Sequence, residues 1–307
     1  MSKKAYFYID DTIWVLRELT RTKPKSMFDV PLLKVLKTAH DKYGTKVQLN
    51  LFYRTDSFYG NDEFTLADVT DTYKAEWEAS ADWLKLAFHA KEEFPDYPHV
   101  NARYEDVFDL FKTIEKEVFR FAGEISFTYS TCPHWLPVSE AGVRALYDCG
   151  VRLMDITVGK VNEYDGNPDS LPYGHAARVM NNRQPETRVF TRESRDVAIM
   201  RSVCAYNHIT DEQNVEKNTL GYITDEATGM KFKQYCTTCI NLFGYDELEE
   251  EFGNYLENDY IGICDHEQYF YEDYFAYQPD YAEKIYKMSE ILIRNGFEFI
   301  FAEDLIK

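Results

Sequence analysis

The sequence predicts an α/β fold, a mostly parallel sheet closed as a barrel with its helices outside, and three observations predict it. Short apolar segments alternate with amphipathic stretches through the first half of the chain and again at its end. Each return to a parallel strand then needs a crossover of one hand, supplied by a helix. No Gly-rich phosphate loop follows the first strand, which favours a barrel over an open nucleotide-binding sheet. The 307 residues suit one large α/β barrel as well as two medium domains. A single domain over residues 1–307 is expected, with residues 159–240 an irregular insertion in the second half.

The elements follow in order. Ala5 to Ile9 reads as a buried strand ending in Asp10 and Asp11. A helix enters through Asp29, carries Pro31 in its first turn and stops at Gly44, with Leu32, Leu33, Leu36 and Ala39 as its apolar stripe. Val47 to Phe52 is the second strand. A helix near Asp71 to Ser80 leads to the strand Trp83 to Phe88, which ends at His89. Asn101 is expected to cap the next helix, where Tyr104, Val107, Phe108, Phe111, Ile114, Val118 and Phe121 recur at spacings of three and four until Gly123. Ile125 to Thr131 reads as a strand ending in Cys132-Pro133-His134-Trp135. Ser139 caps a helix that Gly150 ends, and Val151 to Ile156 is a strand.

Regularity fails from about Gly159 to Cys239, where Asn, Asp, Gly, Pro and Arg accumulate. Arg188 to Thr191 and Val197 to Val203 are strand-like, and Asp225 to Gly229 reads as a hairpin turn. Alternation resumes with the strand Tyr260 to Cys264, the helix Tyr281 to Arg294 and the strand Phe297 to Phe301.

Hydrophobic residues make up 45% and charged residues 28%, the profile of a folded chain. The net charge of −19 disfavours nucleic acid and anionic membrane surfaces, both of which need Lys/Arg patches. The start carries no signal core, because Asp10 and Asp11 follow Tyr6 to Ile9 at once, and a cytoplasmic location is expected. Six cysteines are too few for a disulfide scaffold. Cys236 and Cys239 have zinc-knuckle spacing without a matching second pair, so they are read as structural. Nothing in the sequence selects between a monomer and a homo-oligomer.

In such folds the functional site lies at the carboxyl ends of the strands. Asp10, Asp11, His89, His134 and His266 all stand there, whereas His40, His175 and His208 do not. Carboxylate and imidazole together suit a hydrolytic divalent metal, zinc first, with iron, manganese, cobalt or nickel as alternatives. His89 and an aspartate need a third ligand. His134 is preferred because it ends its own strand, and His99, returned by the loop after His89, is the alternative.

These residues carry a resemblance. Tyr8-Ile9-Asp10-Asp11 at the start, Phe88-His89-Ala90, Glu117 to Gly123, His134-Trp135 and Asp265 to Tyr271 resemble the NodB-type polysaccharide-deacetylase superfamily, in an uncharacterised bacterial subgroup. The resemblance spans nearly the whole chain and is weakest between about Gly159 and Asn254. It implies a distorted (β/α)₇ barrel of the deacetylase type and one divalent metal. It makes Asp10 the general base, Asp11 and His89 metal ligands, and His266 the donor to the leaving amine. Three positions depart from the family pattern: Glu93 stands where its second metal histidine would be, Thr12 where a glycine follows the aspartates, and Cys132-Pro133-His134-Trp135 roughly where its Arg-x-Pro-Tyr motif would be.

The expected activity is metal-dependent hydrolysis of C–N bonds in an N-acylated sugar or related small amide. Tyr269, Tyr271, Tyr274, Phe275 and Tyr277 would form a stacking wall or simply pack that loop. The rival readings are a hydrolase of other C–N bonds, a metal-free glycosidase pairing Asp10 with Glu267, and a non-catalytic sugar-binding barrel.

Overall fold

The computed structural model describes residues 3–55, 63–94, 98–99, 102–136, 138–156, 211–234 and 237–307. The chain is a mixed α/β fold with ten strands and eight α-helices among these residues. In order they are β1 (Lys3–Thr12), α1 (Trp14–Thr22), α2 (Pro31–Tyr43), β2 (Val47–Phe52), α3 (Lys74–Ala79), β3 (Leu84–Ala90) and α4 (Tyr104–Phe121). Then come β4 (Ser130–Thr131), α5 (Glu140–Asp148), β5 (Leu153–Ile156), α6 (Asp211–Leu220), β6 (Tyr222–Thr224), β7 (Lys231–Gln234) and β8 (Thr238–Cys239). The chain ends with α7 (Leu248–Gly253), β9 (Tyr260–His266), α8 (Tyr281–Arg294) and β10 (Phe297–Phe299).

The strands form two sheets, ordered β3-β2-β1-β9-β8, with β10 also on β1, and β4-β5-β7-β6. All the ladders are parallel except the β6–β7 hairpin. An isolated parallel bridge from Leu86 to Phe127 links β3 to the approach of β4. No ladder joins β7 to β8 among the described residues, so the expected closed ring of strands is not observed.

Alternation along β1 decides what each face does. Ala5, Phe7 and Ile9 join the large apolar core, together with Leu33 and Leu36 of α2 and Ile285, Met288 and Leu292 of α8. Fully burying each of the larger of these side chains, the Leu, Ile, Phe and Met, contributes about 1.5–3 kcal/mol. Tyr6 and Tyr8 face the other way, into a small cluster with Cys132, Cys239 and Cys264. The two sheets meet across this second interior. Lys233 of β7 lies 3.9 Å above the Tyr6 ring and is ion-paired with Asp155 of β5, both side chains wholly buried. Ser130 Oγ of β4 donates to Gln48 Oε1 of β2 at 2.9 Å.

Four expectations change. A helix, α1, directly follows β1. The helix α4 begins after Arg103 rather than at an Asn101 cap. Only Ser130 and Thr131 of the expected strand 125–131 pair as a strand, because Glu124–Ser126 form a 3₁₀ turn. Part of the insertion belongs to the fold proper: after the Asp225–Gly229 turn, β7 lies parallel to β5. The expected strands near Arg188 and Val197, together with His175 and His208, lie outside the described residues. No helix among the described residues is long and apolar enough to cross a membrane.

Candidate metal and catalytic site

In a regular strand Asp10 and Asp11 would point to opposite faces. Here Asp11 has a left-handed φ of 62°, and the β1–β2 register shifts between Ile9 and Thr12. Aspartate is among the few residues that tolerate this conformation. Thr12, standing where the family has glycine, donates its hydroxyl to the Ile9 carbonyl at 3.2 Å and clamps the bulge. Both carboxylates thereby reach one imidazole. Asp11 Oδ1 is 3.1 Å from His89 Nε2, and Asp10 Oδ1 is 4.0 Å from His89 Nδ1.

His134 completes the group. It follows β4 in a turn where Trp135 and Leu136 both have positive φ, 59° and 75°. Its Nδ1 lies 3.1 Å from Asp11 Oδ1 and 3.1 Å from His89 Nε2. The outer nitrogens settle the protonation of both rings. His89 Nδ1 faces the Cys132 carbonyl, and His134 Nε2 faces the Glu93 carbonyl at 3.0 Å. A carbonyl only accepts, so each outer nitrogen carries the proton. In the neutral rings the inner nitrogens therefore present lone pairs to each other and to a carboxylate oxygen.

That donor set fits a divalent cation. Backbone carbonyls commonly orient metal-binding imidazoles in this way. Bonds of about 2.0–2.1 Å give donor–donor edges of roughly 3.3 Å in a tetrahedron and roughly 3.0 Å in an octahedron. The observed edges of 3.1 Å fall between. Burial works to raise the Asp11 carboxyl, but the charge of His134 and the hydrogen bonds of His134 and His89 outweigh it and hold it well below the usual range. Burial also opposes charging of His89, yet Asp10 and Asp11 raise it above its ordinary value.

His99 does not join this group. Its Nε2 donates to the His89 carbonyl at 3.1 Å, and burial pushes it down to about 4, so it braces the His89 backbone as a neutral ring. Glu93 offers its carbonyl, not its side chain, to His134; its carboxylate accepts from Gln268 at 3.0 Å. The imidazole expected four residues after His89 thus arrives instead from the loop after β4.

Asp10 is held by a hydrogen-bond chain absent from the sequence reading. Ser130 donates to Gln48, Gln48 Nε2 donates to Asn50 Oδ1 at 2.8 Å, and Asn50 Nδ2 donates to Asp10 Oδ1 at 2.6 Å. Polar residues alternating in the apolar strand Val47–Phe52 were the available signal. The other oxygen, Oδ2, accepts from the thiols of Cys132 at 3.6 Å and Cys264 at 3.5 Å.

His266 pairs in register with Asp10 on the neighbouring strand. Its Nδ1 lies 3.0 Å from Asn241 Oδ1 and 3.8 Å from Cys239 Sγ. Burial opposes its charge, but Cys239, Asp11 and Asp10 raise its pKa well above the ordinary value. The hydrogen bond from Cys264 leads in drawing the Cys239 thiol down to about 6, with His266 assisting.

Glu267 stands apart from this chemistry. Its carboxylate accepts the backbone N–H groups of Ile13, Trp14 and Val15, each at 2.7 Å, and so caps α1. The tyrosine cluster divides. Tyr271 and Tyr274 pack on Trp14 at 5.2 and 6.3 Å between centroids, and Tyr269 packs on Tyr274. Phe275 and Tyr277 stay exposed. Tyr277 lines a cleft of about 290 Å³ with Asn241, Gln278, Glu247 and Lys284. His40 donates to or accepts from no site residue; it meets the Thr45 carbonyl and stacks on Trp83.

No protein-family model matches the chain, and neither does any curated protein. Among solved structures it is similar in fold to a 4-alpha-glucanotransferase from Thermococcus litoralis, with a TM-score of 0.53 and 8% identity over 100% of this chain. The chain spans 40% of that protein's length. A family 4 acetyl xylan esterase from Clostridium thermocellum, solved with a cobalt ion, aligns over 99% of this chain and 90% of its own, with 12% identity and a TM-score of 0.42.

Proposed function

We propose that the chain is a metal-dependent hydrolase of C–N bonds that removes an acyl group from an N-acylated sugar or related small amide. The observation that carries this reading is the convergence of Asp11 Oδ1, His89 Nε2 and His134 Nδ1, with both rings locked by backbone carbonyls so that lone pairs meet.

A divalent ion held by these three residues would supply the acidity that brings a water's deprotonation near neutral pH, and would polarise an acyl carbonyl. The protein's own groups do the proton work. Asp10, kept as an acceptor by Asn50 and two thiols, takes the proton of the attacking water. His266, charged by its acidic surroundings, returns a proton to the departing nitrogen. An amine needs that proton far more than an alkoxide does, which favours amides over esters. With Nδ1 engaged by Asn241, donation falls to Nε2. The small cleft that begins at Asn241, the hydrogen-bond partner of His266, mixes polar Glu247, Gln278 and Lys284 with Phe243 and Tyr277, a lining that suits a compact amphipathic substrate.

The glycosidase reading loses its second carboxylate, because Glu267 is committed to the α1 backbone. The test is release of acetate from N-acetylated monosaccharides by zinc-loaded protein, with and without a chelator. Asp10→Asn and His266→Ala are each expected to lower kcat about 10²–10⁴-fold while the fold is kept. Turnover that ignores the chelator, or survives both substitutions, overturns the proposal; binding without turnover establishes a non-catalytic sugar-binding protein instead.

A further inference from the structure

The strand β9 alternates so that Cys264 and His266, two residues apart, share its inner face. On β8 the register partner of Cys264 is Cys239. Two neighbouring strands therefore deliver two thiols and an imidazole to one point, and Cys239 Sγ, Cys264 Sγ and a His266 ring nitrogen all lie within 4.8 Å of one another. Asn241 Oδ1 closes the group at 2.9 Å from Cys239 Sγ and 3.0 Å from His266 Nδ1.

We propose that Cys239, Cys264 and His266 form a second metal site, distinct from the Asp11–His89–His134 group, for a thiophilic divalent cation of the zinc class. Two sulfurs and one imidazole are a soft donor set, unlike the carboxylate and two imidazoles of the first group. A tetrahedral zinc ion with sulfur at about 2.3 Å and nitrogen at about 2.0 Å spaces those donors roughly 3.5 Å apart. The observed Cys239–His266 separation is 3.8 Å. Nearby negative charge adds to the attraction, since Asp10 Oδ2 sits 3.5 Å from Cys264 Sγ. Binding displaces to solvent the protons still held on the two sulfurs and on His266 Nδ1, and leaves two thiolates and a neutral imidazole around a dication, a set with no net charge.

The site has a consequence that rests on the hydrolase reading. A His266 ring bound through Nδ1 keeps its Nε2 proton, but as a neutral imidazole it gives that proton to a leaving amine far less readily than the imidazolium does. Cys264 likewise stops donating to Asp10. Occupation of the thiol site is therefore expected to slow hydrolysis.

Cobalt(II) titration of the reduced full-length protein without oxygen tests the site independently of any turnover. The expected result is a thiolate-to-cobalt charge-transfer absorption in the near ultraviolet, abolished in both Cys239→Ser and Cys264→Ser. The same absorption is expected to persist in His89→Ala, which removes a donor from the first group and from the Asp10–His89–Cys132 cluster beside it but leaves Cys239, Cys264 and His266 intact. Circular dichroism of the serine variants separates loss of ligand from loss of fold, and the two single variants back each other. Absence of the absorption at saturating cobalt overturns the site, as does its survival in both folded serine variants. Loss of the absorption in His89→Ala overturns it too, because the sulfur on cobalt would then be that of Cys132, beside His89. Cobalt absorption without amide hydrolysis leaves the site standing and removes the hydrolase reading alone.

Discussion

His89 Nε2 and His134 Nδ1 face each other at 3.1 Å while the opposite nitrogen of each ring gives its proton to a backbone carbonyl. Two neutral imidazoles in this arrangement repel, and Asp11 Oδ1 adds a third lone pair at 3.1 Å from both. Either a cation or an additional proton must occupy the point where they meet.

If a cation is the resident, removing a donor removes the ion. Asp11→Asn is the cleanest change, because asparagine also tolerates the left-handed backbone at this position. Asp11→Asn and His134→Ala are each expected to weaken zinc binding on the order of 100-fold or more, read by calorimetry. His99→Ala, which removes only a brace on the His89 carbonyl, is expected to cost about tenfold. Equal losses in His99→Ala and His134→Ala would reverse their assigned parts.

If a proton is the resident, stability of the metal-free protein depends on pH in a set direction. The raised pKa of His89 means its contribution is full below the ordinary value of 6.5 and is lost as pH rises through the folded value. The lowered pKa of Asp11 means its contribution is full above the ordinary 3.8 and is lost only as pH falls below that. The contribution of Asp11 and His89 to the stability of the metal-free chain is therefore expected to be greatest between roughly pH 4 and 6.5 and to weaken above. Zinc should restore Tm increasingly as pH rises, since it competes with the same proton. A zinc effect on Tm that does not change from pH 6 to 8 would count against this competition.

The parts of the fold and site that were legible are those whose signals lie along the chain. The strand Val47–Phe52 and the helix Tyr281–Arg294 have the bounds that their own periodicity and end residues predict. The aspartates and histidines of the first group could be placed at one rim because each follows a strand. What stayed hidden depends on pairing between distant segments. Helix α1 has no side-chain cap from its own N-cap residue, and its cap, Glu267, lies more than 250 residues away. Cys239 was weighed against Cys236 because the two are close in sequence, yet its partners Cys264 and His266 lie across a strand ladder. The Asp10–Asp11 bulge depends on register with β2, which no local pattern encodes.

The long-range cap makes its own forecast. Glu267 is wholly buried and holds three backbone N–H groups, so Glu267→Ala leaves three buried donors unmet. Each costs about 1–3 kcal/mol, and a total loss of roughly 3 kcal/mol or more is expected in urea unfolding. Glu267→Gln keeps one acceptor and should lose less. A negligible change in both variants would mean that the cap does not secure the start of α1.

Asn50 supplies the sharpest distinction between holding a carboxylate and holding the fold. It donates to Asp10 Oδ1 at 2.6 Å and is itself fixed by Gln48, which Ser130 fixes in turn. A hydrogen bond to a charged group is worth about 1.5–3 kcal/mol, so freeing Asp10 should lower kcat by roughly 10–100-fold. Asn50 hydrogen-bonds to Asp10 and Gln48 and, among the described residues, to none of the three metal donors, so zinc affinity is expected to stay close to that of the unaltered protein. Asn50→Ala with kcat unchanged, or with kcat, Tm and zinc affinity all lowered together, would assign Asn50 to packing rather than to positioning Asp10.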